Sequence, residues 1–580
     1  MKNKKELINK GIKELKENKW IHYLIIIIIG IILSIPLNQI QIRDTHDGSL
    51  HMLRLLGTKE TLEIGEFPPL INQNYCNGAG YSMNLFYPPI VTYLPLLIKL
   101  FTPTYMLALK FFGSICIILS GVTMYQFVYQ VTKKRTIALF AAIFYLTAPY
   151  KLANVYKRFA IGEFTAMVFI PLVFLGLYNL FEQDKKKHYY IAIGAIGLML
   201  SHTVTTLYTA LFCIIYVLFH IKKLKDKEVI KKCIINIIFI LLVSMLFWMP
   251  LLEATHYAKY TIMDDTAMRT NGYLTSENVI SFSQLFKDKM EENGTTFIIG
   301  LPTIIAIVLT IFTIKKVNNN YKEYYILSII FSLICLFMVS KFFPWRIMPG
   351  IICKLQYPWR MLGFFIFFIS FVCSVNLYHI TQALTKKNIL RILIVSIFIV
   401  SLIICGIYNM SKFFTKNPTQ DEKYEKIILN NTKISHKQIN RDYMPLKALY
   451  LQNSYVAERE DRTYILEGNA NILDEQKVNL KDVLKVENIE KGTILEFPYY
   501  YYVGYEINLE TDNGTEKLEP IESKNGYLSC KVEKNIEEGK ITIEYVGTTI
   551  TYISYAISAI SLISFIVYII YERKKGEGNG

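Results

Sequence analysis

Long uninterrupted apolar runs constrain this chain more than any other feature. Hydrophobic residues make up 52% of its 580 residues and charged residues only 19%, and the charges gather between the runs. A helix needs roughly 20 apolar residues to cross a bilayer. The runs that reach or approach this length lie near residues 21–38, 105–131, 137–150, 163–182, 189–201, 203–221, 233–252, 296–315, 324–340, 359–381, 389–410 and 548–571. The sequence therefore predicts an all-α polytopic membrane protein with about twelve transmembrane helices.

The basic residues orient these helices. If the N-terminus is cytoplasmic, every strongly basic connection also falls on the cytoplasmic side, which is the bias expected of membrane proteins. These connections are "VTKKRT", "FEQDKKKHYY", "HIKKLKDKEVIKK", "IKKVNNNYKEYY", "LTKKNILR" and "YERKKGEGNG". The net charge of +16 is explained in this way, and without an RNA-binding signature or a long basic arm it predicts no nucleic-acid partner.

This threading holds only if "NLFYPPIVTYLPLLIKLF", residues 84–101, does not cross the membrane. Three of its residues are prolines, which interrupt the backbone hydrogen bonding that a spanning helix needs. We therefore expect a short element that dips into the outer leaflet. The nine cysteines are scattered without a CxxC pair and predict neither a disulfide framework nor a zinc site.

Four regions follow from this pattern. Residues 1–20 form a basic cytoplasmic helix, and residues 21–410 form the transmembrane domain, whose first outer loop is 39–104. Residues 411–547 carry the turn signals "ETDNGTEK" and "SKNGYLS" between alternating stretches such as "GKITIEYVG", and predict a small, mostly β domain outside the cytoplasm. Residues 548–580 are the last transmembrane helix and a cytoplasmic tail.

An acidic motif, "QIRDTHDGSLHMLRLLG", follows the first apolar run. If residues 44–56 are helical, Asp44, Asp47, His51 and Arg54 share one face. A carboxylate there could accept a hydroxyl proton or bind a divalent cation with its neighbour, and the imidazole could assist either role. Helix capping is the alternative, with Asp44 at the N-cap and the glycine of "RLLG" closing the C-terminus.

Positive charge also lies on the outer side, against the orienting bias. Arg158, Arg346 and Arg360 fall at outer helix ends, where they are suited to bidentate phosphate contact. Lipid head groups or pairing with acids such as Glu163 would explain outer cations too, although for these arginines we favour a functional role. His202, at the outer end of a span, is either a structural buried histidine or a functional one.

The order of these motifs is similar to that of the bacterial pyruvoyl-tetrahydropterin-synthase-related membrane proteins and of the YfhO-type membrane proteins. Both groups resemble the GT-C superfamily of integral-membrane glycosyltransferases. The resemblance rests on "RDTHDGSLHMLRLL", "GEFPP", "NGAGY", "FYPPI", "APYKLANVYKRFAIGEF", "LSHTVT", "QYPWRMLGF" and "FPYYYYVGYEI". The pterin name implies no pterin chemistry, because no cluster of three histidines is evident.

The resemblance implies an enzyme of the bacterial plasma membrane that transfers a sugar from a polyprenyl-phosphate donor to an envelope glycan or lipid on the outer face. In GT-C enzymes an acidic residue of the first outer loop is the catalytic base or a metal ligand, which matches Asp44 or Asp47. His51 joins these as a catalytic candidate, and a divalent cation held by Asp44 and Asp47 is the one cofactor to consider. The expected substrate-binding residues are Tyr87, Arg158, Glu163, His202, Arg346 and Arg360.

Two other functions compete with this one. A transporter or flippase of lipid-linked glycans would need polar residues at mid-bilayer depth, and the spans contain almost none. A non-catalytic scaffold would use the β domain to bind wall polymer. Membrane lipids are expected partners under all three hypotheses.

Overall fold

The computed structural model describes residues 18–183, 185–287, 297–384, 388–411, 413–414, 420–430, 434–435, 439, 441–451, 459–478 and 481–578. Most of these residues are helical, and every named strand lies between Tyr464 and Tyr545. The structure thus confirms a mostly helical membrane protein with a β domain before its last helix. The predicted N-terminal basic helix lies largely outside the described residues.

Helices long and apolar enough to cross a membrane account for most of the predicted spans. Among the described residues seven qualify singly: Lys19–Gln39, Tyr105–Thr132, Ile161–Glu182, Asn319–Val339, Pro358–Leu384, Ile389–Ser411 and Thr549–Lys575. Two bent pairs raise the number to nine: Arg135–Thr147 with Pro149–Tyr156, at 44°, and Lys227–Val243 with Met245–Tyr257, at 66°.

The prediction of about twelve spans is therefore not confirmed in number. Its other three runs form the shorter helices Tyr190–Met199 and Thr203–Phe219 and a broken segment, Leu301–Val308 with Thr310–Thr313. The first of these is 10 residues long, or about 15 Å at 1.5 Å per residue, against a hydrocarbon core of about 30 Å. An apolar run in the sequence does not show where the backbone bends within it.

The remaining α-helices are short or lie outside the apolar runs. They are Gly48–Glu63, Met83–Phe86, Ile90–Lys99, Gly272–Glu277, Gly350–Cys353, Gln420–Asn430 and Leu446–Tyr450. Ile90–Lys99 is the proline-rich element that we expected not to cross the membrane, and its 10 residues are too few to do so alone.

Two helices form the centre of the bundle. Nearly every residue of Ile161–Glu182, and of positions 358–377 within the span Pro358–Leu384, is buried, and the rings of Phe174 and Phe367 meet with centroids 5.1 Å apart. Few residues of the helices Ile389–Ser411 and Thr549–Lys575 are buried, and both helices are rich in isoleucine. Apolar side chains turned outward on a long helix are typical of a lipid-facing surface.

The β domain consists of two antiparallel sheets. The strand order is β1-β4-β8-β7 in one and β2-β3-β9-β5-β6 in the other. The predicted turn "ETDNGTEK" joins β5 to β6, and "SKNGYLS" leads into β8. The strands are β1 Tyr464–Glu467, β2 Asn471–Val478, β3 Lys481–Ile489, β4 Ile494–Tyr500, β5 Tyr505–Thr511, β6 Gly514–Leu518, β7 Ile521–Glu522, β8 Tyr527–Lys531 and β9 Ile536–Tyr545.

This domain packs on residues 39–104, the predicted first outer loop, and on neighbouring segments. The amide N–H of Tyr500 donates to the carbonyl of Ala79 at 2.7 Å, and the hydroxyl of Tyr502 donates to the carbonyl of Tyr443 at 3.0 Å. The Tyr502 ring stacks on that of Tyr260, with centroids 5.7 Å apart. The tyrosine run in "FPYYYYVGYEI" is therefore used for packing between parts of the chain.

Candidate functional site

The acidic motif does not form the continuous helix predicted over residues 44–56. A 3₁₀ turn covers Ile42–Asp44, and the α-helix Gly48–Glu63 begins only after Asp47. Asp44 and Asp47 therefore belong to different elements. Asp47, not Asp44, holds the N-cap position, and its side chain makes no capping hydrogen bond.

Two glycines of the motif lie where the chain approaches other atoms too closely for a side chain. A Cβ atom on Gly48 would lie 2.0 Å from the carbonyl oxygen of Ile42, so only glycine allows the 3₁₀ turn to fold back over the helix start. The helix-capping alternative is wrong in placing a C-cap at Gly57, because the helix continues to Glu63. A Cβ on Gly57 would lie 2.9 Å from side-chain atoms of Asn72 and Tyr75, so this glycine serves close packing.

A carboxylate from a distant segment holds the motif in place. Asp421 accepts the amide N–H groups of Ile42 at 2.8 Å and Arg43 at 3.3 Å. The ammonium of Lys110 lies 3.5 Å from Asp421 and also donates to the carbonyl of Ile40 at 2.9 Å. Burial raises the pKa of Asp421. Sequence reasoning missed Asp421, since 379 residues separate it from Ile42 and no local pattern marks it.

A cavity of about 390 Å³ lies beside the motif. It is bounded by the start of helix Gly48–Glu63, by the loop before Ile161–Glu182, and by the starts of helix Thr203–Phe219 and the span Pro358–Leu384. Seven of the nine predicted site residues line it: Asp47, His51, Tyr87, Arg158, Glu163, His202 and Arg360.

The other two predicted residues lie elsewhere. The Asp44 carboxylate is largely exposed and pairs with Arg43 at 3.1 Å. Arg346 is exposed, with its Nε atom 3.4 Å from the hydroxyl of Ser276 and its guanidinium 5.3 Å from the ring of Tyr273. Although "PWRM" and "PWRI" look alike in sequence, only the copy with Arg360 contributes to the cavity.

Glu163 and Arg158 form a buried ion pair in the cavity wall. Nη1 of Arg158 donates to Oε2 of Glu163 at 2.6 Å and to the side-chain oxygen of Asn154 at 2.5 Å. Oε1 of Glu163 accepts from Tyr150 at 2.5 Å and from Asn154 at 2.9 Å. Glu163 is thus fully hydrogen-bonded and positions Arg158.

Arg158 also ties this wall to the acidic motif. Its Nη2 atom lies 3.8 Å from a carboxylate oxygen of Asp47, and its carbonyl accepts the amide N–H of Asp47 at 2.8 Å. Its guanidinium lies 4.4 Å from the ring of Trp359. The side chain of Asp47 remains 39% exposed, so its carboxylate can still meet a ligand in the cavity.

Arg360 differs from Arg158 in its partners. Its Nη1 atom donates to the carbonyl of Leu355 at 3.0 Å, and its guanidinium lies 5.1 Å from the ring of Tyr357. Its buried Nε has no hydrogen-bond partner in the described part of the chain. A buried guanidinium N–H that lacks a partner is a donor available to an anionic ligand.

Three histidines line the cavity, His46, His51 and His202, and the last two are neutral hydrogen-bonding groups. Burial, together with Arg54, lowers the pKa of His51 to about 3, and burial, together with Arg360, lowers that of His202 to about 3. Nδ1 of His202 accepts the backbone N–H of Thr205 at 3.2 Å. The proton of neutral His202 is therefore on Nε2, which can only donate.

A glycine brings Tyr87 and His202 together. A Cβ atom on Gly162 would lie 2.5 Å from the Tyr87 hydroxyl and 3.0 Å from Cδ2 of His202.

Arg54, which was expected to share a helix face with Asp44, Asp47 and His51, instead binds the Tyr-Pro-Pro turn. It donates to the carbonyls of Tyr87 at 3.0 Å and Pro88 at 2.8 Å.

Asp442 is a cavity residue that sequence reasoning missed. It comes from the segment before the β domain, and burial, with a smaller effect of the Asp47 charge, raises its pKa to about 6. Asp47 and Asp442 are the carboxylates that could hold a divalent cation here. Within the described residues the cavity has no set of three ligand atoms within 4.8 Å of one another, so such a cation would also need water or substrate oxygens.

Comparison with known proteins identifies the family. The chain is 28% identical over 349 residues to an uncharacterized protein of Lactococcus lactis subsp. cremoris (strain MG1363); the match covers 58% of this chain and 56% of that protein. It is similar to the crystal structure of the Archaeoglobus fulgidus oligosaccharyltransferase complex with Zn and sulfate, at 12% identity and a TM-score of 0.36, over 70% of this chain and 57% of the other. The model of the 6-pyruvoyl-tetrahydropterin synthase related domain, a membrane protein family, matches residues 85–412, more than half of the chain. The chain therefore belongs to the 6-pyruvoyl-tetrahydropterin synthase related membrane proteins.

Proposed function

We propose that this protein is a glycosyltransferase of the bacterial plasma membrane that moves a sugar from a polyprenyl-phosphate donor to an envelope glycan or lipid on the outer face. One observation carries the proposal: Asp47 and Arg360 line the same cavity of about 390 Å³. The Asp47 carboxylate can accept a proton, and the Arg360 guanidinium can donate hydrogen bonds to an anion.

The position of the cavity suits a lipid-linked donor. Arg360 is the third residue of the span Pro358–Leu384, and Glu163 is the third residue of Ile161–Glu182. The cavity is therefore at the ends of membrane-crossing helices, where a phosphate can remain hydrated while its prenyl tail enters the bilayer. Arg360 is the residue we assign to the phosphate, because its Nε lacks a protein partner among the described residues.

The base is Asp47 rather than Asp44, since only Asp47 reaches the cavity. An acceptor hydroxyl passes its proton to the Asp47 carboxylate as its oxygen attacks the anomeric carbon of the donor sugar. The bond between that carbon and the phosphate oxygen breaks, and polyprenyl phosphate leaves with its negative charge on Arg360. The resemblance to GT-C enzymes implies inversion at the sugar carbon. Tyr87 and His202 provide hydrogen-bond donors for the sugar.

A divalent cation held by Asp47 and Asp442 would supply further positive charge for the leaving phosphate. Asp442 lines the same cavity, and burial, with a smaller effect of the Asp47 charge, raises its pKa to about 6. A cation there would favour the charged form of Asp442. Added Mg²⁺ or Mn²⁺ should therefore raise turnover.

The position of the cavity argues against a flippase or transporter. The charged groups of the cavity lie in loops or in the first residues of spans, whereas transport sites lie near the bilayer midplane. A scaffold that binds wall polymer through its β domain would not use the cavity for chemistry. Loss of the Asp47 carboxylate would then leave the function of the protein unchanged.

The test uses the full chain in nanodiscs with labelled polyprenyl-phosphate sugars and an envelope-lipid extract as acceptor. Asp47→Asn is expected to lower transfer about 100-fold or more, the usual contribution of a general base. Asp44→Asn is the matched control, because this aspartate lies outside the cavity and is largely exposed. Equal turnover in the two variants would contradict the assignment of Asp47.

A further inference from the structure

Three side chains that commonly bind metals meet at the opposite end of the helix that carries Glu163. Glu182 ends the helix Ile161–Glu182, His220 directly follows Thr203–Phe219, and Glu323 lies near the start of Asn319–Val339. One ligand atom from each lies within 4.8 Å of the other two. Glu182 is 19 residues after Glu163, about 28 Å along a helix, so this cluster is separate from the cavity.

The spacing of the cluster matches a tetrahedral metal site. Nε2 of His220 is 2.9 Å from Oε1 of Glu182 and 3.4 Å from Oε1 of Glu323. Zinc binds histidine nitrogen and carboxylate oxygen at about 2.0–2.2 Å in a tetrahedron, which places neighbouring ligand atoms about 3.3–3.5 Å apart. Small movements of these side chains would therefore complete three corners of the coordination.

The orientation of His220 also fits metal binding. Its Nδ1 is 2.9 Å from the carbonyl oxygen of Tyr216, which can only accept, so Nδ1 carries the proton. The neutral ring then directs the Nε2 lone pair toward the two carboxylates. Metal-bound histidines usually donate their other N–H to a carbonyl or carboxylate in this way.

The buried Nε2 atom of His220 has no hydrogen-bond partner within the described residues. His220 is 5% exposed, and no contact of its Nε2 within the described residues has the geometry of a hydrogen bond, despite the 2.9 Å distance to Glu182. Oε1 of Glu182 is likewise buried without such a bond. A buried lone pair that faces two carboxylate oxygens is unfavourable unless a positive charge lies between them.

We propose that Glu182, His220 and Glu323 form a binding site for a divalent transition metal, with zinc as the best match. Two carboxylates neutralise the two charges of the ion, and the exposed side of Glu323 leaves the fourth position open to solvent. The ion joins the ends of three helices. In the orientation expected from the basic loops, these ends face the cytoplasm.

A proton is the competing occupant. Burial lowers the pKa of His220, but the adjacent Glu182 offsets this and the net pKa is raised. Lys223 also lies 3.6 Å from Glu182, while its ammonium donates to the carbonyl of Phe181 at 2.8 Å. Lys223 is about half exposed and can turn to solvent when an ion binds. An imidazolium without metal would explain the cluster if no ion binds.

The experiment titrates the full chain, purified in detergent and freed of metal by a chelator, with Co²⁺ and then with Zn²⁺. We expect one equivalent of Co²⁺ with the strong visible bands of tetrahedral coordination, displaced by Zn²⁺, and a higher melting temperature with Zn²⁺. His220→Gln should abolish the bands, and Glu323→Gln should weaken binding at least tenfold. His256→Gln is the control, since His256 is exposed and lies outside the cluster.

Weak octahedral bands alone, or equal binding by His256→Gln and Glu323→Gln, would overturn the metal site. Glu323→Gln decides the question even if His220→Gln fails to fold, because the side chain of Glu323 is 66% exposed. The site is independent of the proposed transferase activity. Asp47→Asn should retain the tetrahedral Co²⁺ bands of the unmodified chain, because Asp47 lines the cavity and is not part of the cluster.

Discussion

Nη1 of Arg158 lies 2.6 Å from Oε2 of Glu163, and this buried pair separates the roles of the two arginines in the cavity. Arg158 is neutralised by Glu163 and by Asp47 at 3.8 Å, so it organises the wall. Arg360 forms no ion pair among the described residues and remains the cation for a ligand. The first two predictions follow from this difference.

Loss of one partner of the Arg158–Glu163 pair should be costly. Glu163→Gln leaves the Arg158 charge buried, and we expect a loss of roughly 3–5 kcal/mol in the free energy of unfolding. The double variant Glu163→Leu/Arg158→Met should be less destabilised than either single one, since no buried charge remains. Thermal unfolding in nanodiscs measures both, with Glu63→Gln as the exposed control. Similar stability of Glu163→Gln and Glu63→Gln would show that the pair contributes little.

Arg360→Gln should weaken ligand binding but leave the stability of the protein nearly unchanged, the opposite of what we expect for Glu163→Gln. Because the Arg360 side chain makes one hydrogen bond within the described residues, to the carbonyl of Leu355, its replacement should change the melting temperature little. Binding of polyprenyl phosphate, measured by native mass spectrometry, should weaken about tenfold or more, as expected for a lost charge-assisted hydrogen bond. Arg346→Gln, outside the cavity, serves as the control and should bind the lipid normally. Equal affinity of the two variants would exclude Arg360 as the phosphate ligand.

The sequence was informative where a property is local. Apolar runs predicted the long spans, and alternation with turn signals predicted the β strands. It failed where contacts between distant residues decide the conformation. Neither Asp421 nor Asp442 lies near the motif in sequence, and the break before Gly48 depends on the carbonyl of Ile42. Which of Asp44 and Asp47 lines the cavity therefore could not be read from the sequence.

Gly162→Ala should damage the cavity without removing any polar group. The new methyl would lie 2.5 Å from the Tyr87 hydroxyl and 2.8 Å from the carbonyl of Ser201, so Tyr87 must move. Transfer should fall about tenfold or more, with the KM for the donor sugar raised. Gly363→Ala is a suitable comparison, since its nearest neighbour would be the flexible end of Met167 at 3.1 Å. Full activity of Gly162→Ala would show that the position of Tyr87 is not critical.

Asp442 should make stability depend on pH. Its pKa is about 6 in the folded protein, above the ordinary value of 3.8, so the folded state binds more protons than the unfolded state between these values. Stability should therefore fall as the pH rises from about 4 to 6, by at most about 3 kcal/mol, and then remain level. Asp442→Asn should remove this slope in melting curves taken across that range. A slope that persists unchanged in the variant would belong to other groups, such as the buried Asp421.

The hydrogen bonds that Asp421 accepts from Ile42 and Arg43 should control the conformation of the acidic motif. Asp421→Ala leaves the amide N–H groups of Ile42 and Arg43 without their acceptor and the Lys110 ammonium without its counter-charge. The motif should then open more often, and transfer should fall although Asp421 does not line the cavity. A cysteine introduced at Ser49 and labelled with an impermeant maleimide reports this opening, and it should react several-fold faster in Asp421→Ala. Glu422→Ala, the exposed neighbour on the same helix, should leave the labelling rate unchanged. If both variants label alike, Asp47 owes its position to Gly48 and Arg158 alone.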